Sequence, residues 1–201
     1  MKTTNPRLAH IVARRYRDMQ GLVTVSDAMF PLLLGAGAFY FRSDRAMILF
    51  GGCLVVWFFV SVFWLRRRIS AYYANRFGRV GGFAIPIIIV IAQGYTTGSL
   101  LADLHVPLAV RVPIVFLFLG GWPAWIVAYD WPYRWYWIIP LVVAAGVTVP
   151  FSGRAVELGD ISLATCLVAI GAALAIAGAL DHALLVRALD RPAGSEAAEH
   201  A

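Results

Sequence analysis

Few side chains in this sequence have the chemistry to carry a reaction or a solute. Asp27 sits in the opening turns of an apolar run, and Asp181 and His182 sit side by side at the end of another. Ionisable groups at membrane depth are costly and so are the first candidates for function. If the two runs pack together, Asp27, Asp181 and His182 form one polar cluster. Such a cluster fits a proton relay, or a site for a cation or a headgroup. The favoured reading is structural ion pairs to Arg15, Arg17 or Arg187 at the interface, because charge costs little near the membrane edge. A second candidate is the polar stretch from Gln93 to Ser99, where Gln93 and Thr97, four apart, share a helix face. Such residues more often hydrogen-bond between helices, which is the favoured reading; a polar cavity lining is the alternative.

Enzyme signatures are missing. The sequence has no HExxH pair for zinc and no GxxxxGK[ST] loop for phosphate. It has no CxxC redox pair and no GxSxG nucleophile elbow. His10, His105, His182 and His200 fall on different segments, so a shared haem is not expected. Cys53 and Cys166 each lie inside an apolar run and read as small packing residues. The sequence therefore predicts no catalytic residue, no metal and no cofactor.

The elements that must position these residues follow from composition. The chain has 201 residues, 61% hydrophobic and 14% charged. A soluble domain is nearer half apolar and a quarter charged. At roughly 20 residues per crossing, the expectation is an all-α polytopic membrane bundle of six helices without a separate soluble domain. The spans are expected at 22–41, 46–65, 81–101, 108–129, 136–151 and 161–180, within a domain of residues 21–189. Residues 1–20 are basic and amphipathic, which predicts a helix on the membrane surface rather than a signal peptide. Residues 190–201 are small and polar and predict a disordered tail. The fifth span is short and holds Pro140 and Pro150, so a re-entrant segment is an alternative there. Gly94 and Gly98 form a GxxxG spacing, and Gly171, Ala175 and Ala179 form a small-residue stripe. Both favour close helix packing.

Orientation rests on the segment Arg66 to Val80, which carries Arg66, Arg67, Arg68, Arg76 and Arg79. It reads as an interfacial loop between two spans, and Arg-rich short loops stay in the cytoplasm. Thirteen of the seventeen Lys and Arg residues then lie inside, as do both termini. The net charge of +6 is placed beside apolar runs, which predicts contact with anionic lipid headgroups or a membrane partner rather than nucleic acid. The five arginines are the candidate contacts. The aromatic cluster Trp125 to Trp137, around Asp130 and Arg134, reads as an interfacial belt at an inner turn. One lysine against sixteen arginines suggests a GC-rich bacterial genome, and hence a bacterial inner membrane. The functional expectation is a non-enzymatic accessory, scaffold or anchoring component of a membrane complex. The alternative is a small transporter or channel for a solute, ion or lipid, using polar residues of spans one, three and six. A membrane enzyme ranks last.

Overall fold

The computed structural model describes residues 21–40, 44–77, 87–152 and 161–189. These residues are helical throughout apart from short turns, and none is in a strand. The helices are α1 (Gly21–Tyr40), α2 (Asp44–Val60), α3 (Arg66–Phe77), α4 (Ile87–Asp103), α5 (Leu108–Asp130), α6 (Ile138–Ser152) and α7 (Ile161–Leu189). A π-helical turn, Ser61–Leu65, joins α2 to α3, and a 3-10 turn, Trp135–Trp137, leads into α6. Five helical stretches among the described residues are long and apolar enough to cross a membrane: Gly21–Tyr40, Leu49–Arg76, Leu108–Asp130, Trp135–Ser152 and Leu163–Ala188. The chain has the make-up of a multi-pass membrane protein. The third expected span corresponds to α4, and its expected opening residues, 81–86, lie outside the described residues, as do the basic segment 1–20 and the tail 190–201.

The most extensive helix contact is between α1 and α7. Gly21, Ala28 and Gly35 recur every seven residues on α1, and Ala164, Gly171 and Gly178 do the same on α7. The two helices run antiparallel, so Gly21 faces Gly178, Ala28 faces Gly171, and Gly35 faces Ala164. A Cβ on Gly178 would lie 2.7 Å from the Gly21 carbonyl oxygen, and one on Gly35 would lie 2.7 Å from the Ala164 carbonyl oxygen. Backbone meets backbone along the seam. A seven-residue period keeps such a seam facing its partner along a left-handed crossing. The stripe expected at Gly171, Ala175 and Ala179 is therefore corrected. Gly171 is in the seam, but Ala179 is exposed, because steps of four drift around the helix where steps of seven nearly return.

Around this pair stand the other helices. α2 packs against α1, and α4, α5 and α6 form a group that closes on α7 through α6 and on α1 through α4. Gly94 lets α4 approach Phe118 and Leu119 of α5, and Gly98 faces the Phe151 backbone of α6. The buried core between these groups holds Ile91, Val115, Ile126, Val147, Phe151, Leu167 and Ile170. α4 and α5 are joined by a tight turn in which His105 takes a left-handed backbone with φ 57°. The fifth span, Trp135–Ser152, is long enough to cross despite Pro140 and Pro150. Its polar far end is satisfied locally, since Thr148 donates to the Ala144 carbonyl at 2.7 Å and Ser152 to the Thr148 carbonyl at 2.7 Å.

One element differs in kind from expectation. Residues 66–77 are not a loop; the α2 helix continues through the π turn to Phe77. No Gly or Pro interrupts residues 61–77, and Gly78 follows directly. Ile69 and Tyr73, four apart, give α3 an apolar side, which packs with Leu22 and Leu185. A charge-dense segment with that periodicity stays helical beyond the apolar run.

The seam yields a direct test. Gly178→Val is expected to lower unfolding stability in detergent by about 1–3 kcal/mol, the usual cost of overpacking. Gly52→Val, at a position where a Cβ would meet nothing within 4 Å, is expected to leave it unchanged. Equal thermal midpoints for the two variants would refute the seam.

Candidate functional site

The chemistry-bearing side chains gather at one end of the bundle, where α1 begins, α7 ends, α3 emerges and the α5–α6 turn lies. The centre of this end is Asp181, fully buried on α7. Its carboxylate accepts from four donors. Arg134 Nε donates to Oδ1 at 2.8 Å, and Tyr136 Oη donates to the same oxygen at 2.5 Å. Arg134 Nη2 donates to Oδ2, and Trp137 Nε1 donates to it at 3.1 Å. A carboxylate offers roughly four acceptor positions, so Asp181 is saturated. The pairing with Arg134 is the two-pronged kind that fixes both partners in a plane.

Arg134 is itself fully buried. Its remaining nitrogen, Nη1, donates to Asp130 at 3.0 Å, and its guanidinium lies 5.3 Å from the centre of the Trp137 ring. Burial alone would pull the Arg134 pKa down. The Asp181 charge and the hydrogen bonds to Asp181 and Asp130 outweigh it and hold the pKa above its ordinary value. The turn is built for this grip. Tyr133 and Arg134 amides both bond back to the Asp130 carbonyl, at 2.9 and 3.2 Å, and the Trp137 amide bonds to the Arg134 carbonyl at 3.0 Å. The Trp131–Pro132 peptide is cis. Three residues of one short turn, Arg134, Tyr136 and Trp137, thus close on a single carboxylate of α7, and Asp130 braces Arg134 from the other side.

A second tie joins α1 to the α2–α3 helix. Asp27 accepts from Arg66 Nη2 at 2.5 Å, and Ser26 and Ser61 hydroxyls meet at 3.0 Å. The π turn explains why both partners on the long helix face α1. The Arg66 amide bonds to the Ser61 carbonyl, five residues back. That i→i+5 closure stacks Arg66 over Ser61, where an α-helical step of five would turn it well away. Phe30 and Phe58 touch at 5.8 Å on the same seam. Asp27 is then level with about residue 60, and the Arg66 side chain extends inward along the axis to meet it.

A third tie is Tyr73 on α3, fully buried. Its hydroxyl meets His182 Nδ1 at 2.9 Å and accepts from the Leu22 amide, in the first described turn of α1, at 3.3 Å.

The predicted cluster of Asp27, Gln93, Thr97, Asp181 and His182 is divided among these ties and α4. In the antiparallel seam Asp27 faces position 172 of α7, nine residues from Asp181, or about 13 Å along the axis. Asp27 and Asp181 therefore lie at different depths and take different arginines. Arg15 and Arg17 lie outside the described residues, and Arg187 is exposed. Gln93 is exposed and Thr97 half-buried on α4; the neighbouring Thr96 hydroxyl bonds back to the Ala92 carbonyl at 2.9 Å. Of the five candidate arginines, Arg66 is buried in its ion pair. Arg67, Arg68 and Arg76 are exposed, and Arg79 lies outside the described residues. Among the described residues, no group of three His, Cys, Asp or Glu side chains could hold a metal ion.

Asp130, Arg134, Tyr136, Trp137, Tyr73, Ser26 and Ser61 were not expected in these roles. A signal for Arg134 exists: a carboxylate inside an apolar helix requires a cation, and Arg134 is the one cation of the aromatic turn. Tyr73 carried no such signal, since a tyrosine beside arginines also fits an interfacial belt. Comparison with protein-family models, curated proteins and solved structures finds no match.

Removing one partner of a buried ion pair costs about 3–5 kcal/mol, because the other charge is stranded. Arg134→Met and Asp181→Asn are each expected to destabilise on that scale. The double variant should lose less than the two losses added, by a coupling of about 0.5–3 kcal/mol. Unfolding midpoints in detergent measure the cycle, and strict additivity would show that the two side chains do not interact.

Proposed function

We propose that the chain is a non-enzymatic accessory, scaffold or anchoring component of a membrane complex. It would sit in a bacterial inner membrane with the arginine-rich end and both termini in the cytoplasm. The observation that carries this reading is the engagement of the membrane-depth charges with each other. Asp181 has its acceptor positions filled, and Asp27 is held by Arg66. Groups so engaged favour holding helices in register over cycling protons or solutes. The placement of α2 supports the same reading. It packs on α1 at the flank of the bundle and leaves Leu49, Val55, Val56, Phe59 and Phe63 exposed.

A second reading, a small transporter or channel, draws on one feature. A niche where α1 and α2 meet is lined by Ser26, Asp27, Phe30, Trp57, Phe58, Ser61 and Val62. It places two hydroxyls and a carboxylate beside a π turn, an irregularity common at functional sites.

Cys53 lies exposed on α2 and offers a built-in probe. Cysteine-directed crosslinking in native membranes, followed by mild-detergent purification and mass spectrometry, is expected to return a stoichiometric membrane-protein partner joined through Cys53. Cys53→Ser should abolish the adduct. A protein recovered only as a monomer or homo-oligomer would overturn the accessory reading. Solute flux in liposomes that is lost in Asp27→Asn would favour the second.

A further inference from the structure

From the exposed side of the α2–α3 helix we infer a binding site for an anionic phospholipid, independent of the accessory reading. Val56, Val60, Trp64, Arg68, Tyr72 and Arg76 follow one another at four-residue steps, and all six are exposed. Side chains four apart are neighbours on a helix, so the six form one continuous stripe, inclined to the helix axis. Read along the helix, the stripe passes from aliphatic to indole to guanidinium, then to phenol and a second guanidinium. That is the order of chemistry along a phospholipid, from acyl chain through the interface to the phosphate and headgroup.

The arginines are held rather than loose. The Arg68 guanidinium lies 5.4 Å from the centre of the Trp64 ring. The Arg76 guanidinium lies 5.9 Å from the Tyr72 ring centre, and its Nη1 donates to the Tyr72 hydroxyl at 3.2 Å. Stacking on the Trp64 ring face leaves the edge donors of the Arg68 guanidinium open to an oxyanion. The opposite side of the helix explains the aim. Arg66 and Tyr73 are drawn inward to Asp27 and to His182 and Leu22, which turns Arg68 and Arg76 outward. Residues 61–77 themselves contain no acidic side chain.

Depth agrees as well. Residues 46–65 carry no charged side chain, and at 1.5 Å per residue such a run covers about 30 Å, the thickness of a hydrocarbon core. Arg67 and Arg68 follow directly, at the edge of that core, where phosphates lie. Arg67 is also exposed and flanks the stripe. Arg66, expected among the lipid contacts, is withdrawn from them by its ion pair.

The test uses the full-length protein in neutral detergent, titrated with fluorescent phosphatidylglycerol and, separately, phosphatidylcholine. Phosphatidylglycerol is expected to bind about tenfold more tightly. Arg67→Ala/Arg68→Ala should remove that preference, Arg68→Ala alone should reduce it about threefold, and Arg187→Ala, an exposed arginine of α7, should preserve it. The variants remove exposed side chains, so their unfolding midpoints should match the parent. The proposal fails if Arg68→Ala binds like the parent, or if Arg187→Ala loses as much as the double variant, which would mean bulk charge. It also fails if inorganic phosphate at millimolar concentration displaces the lipid, which would mark a free-anion site.

Discussion

Everything else in this bundle is referred to the approach of α1 and α7 along their small-residue seam. In a lipid environment two helices gain little by burying apolar surface from each other, because the alternative is another apolar contact. Close packing must supply the association, and it requires that side chains not hold the backbones apart. Gly21, Ala28, Gly35, Ala164, Gly171 and Gly178 meet that requirement at a seven-residue period. The seam also sets the register of the two helices, and with it the depths of Asp27 and Asp181.

Charge is distributed around the pair by a consistent rule. Two buried acids sit on the central helices, Asp27 on α1 and Asp181 on α7, while a third, Asp130 at the end of α5, braces the arginine that meets Asp181. The arginines that meet them come from the surrounding elements, Arg66 from the α2–α3 helix and Arg134 from the α5–α6 turn. Each surrounding group is thereby pinned to the pair at one depth. Buried ion pairs contribute little net stability against a well-packed apolar alternative, but a mispaired register would strand a charge in a low-dielectric setting. The ties therefore penalise wrong arrangements of otherwise interchangeable apolar helices. Tyr73 adds a neutral version of the same device, joining α3 to both central helices through one hydroxyl.

The helices were legible in the sequence because length and apolarity alone mark a crossing segment. Gly21–Tyr40 and Leu108–Asp130 are among the described stretches long and apolar enough to cross a membrane. The site was legible only in part. Asp27, Asp181 and His182 stand out as polar residues in apolar runs, yet their partners depend on which helices touch and in what register. That information is three-dimensional. The π turn shows the limit most plainly: one changed hydrogen bond at Ser61–Arg66 decides whether Arg66 faces Asp27 or lipid, and a hydropathy pattern does not register it. The α3 helix was hidden for a related reason. Charge density lowers hydropathy without weakening helical propensity, since arginine is a good helix former.

The arginines serve two roles that charge counting merges. Positive residues near helix ends bias orientation according to their number and place. A residue withdrawn into a buried pair still carries its charge during insertion, when its partner is not yet assembled beside it. Arg66 and Arg134 can therefore bias topology first and lock the bundle afterwards, with no charge left over for the surface. Arg67, Arg68, Arg76 and Arg187 remain exposed on the described part of the same end. Among the described residues, the positive charge offered to lipid or protein at this end comes from these four. It is more localised than a count of arginines suggests, and on the α2–α3 helix Arg68 and Arg76 lie on a single stripe.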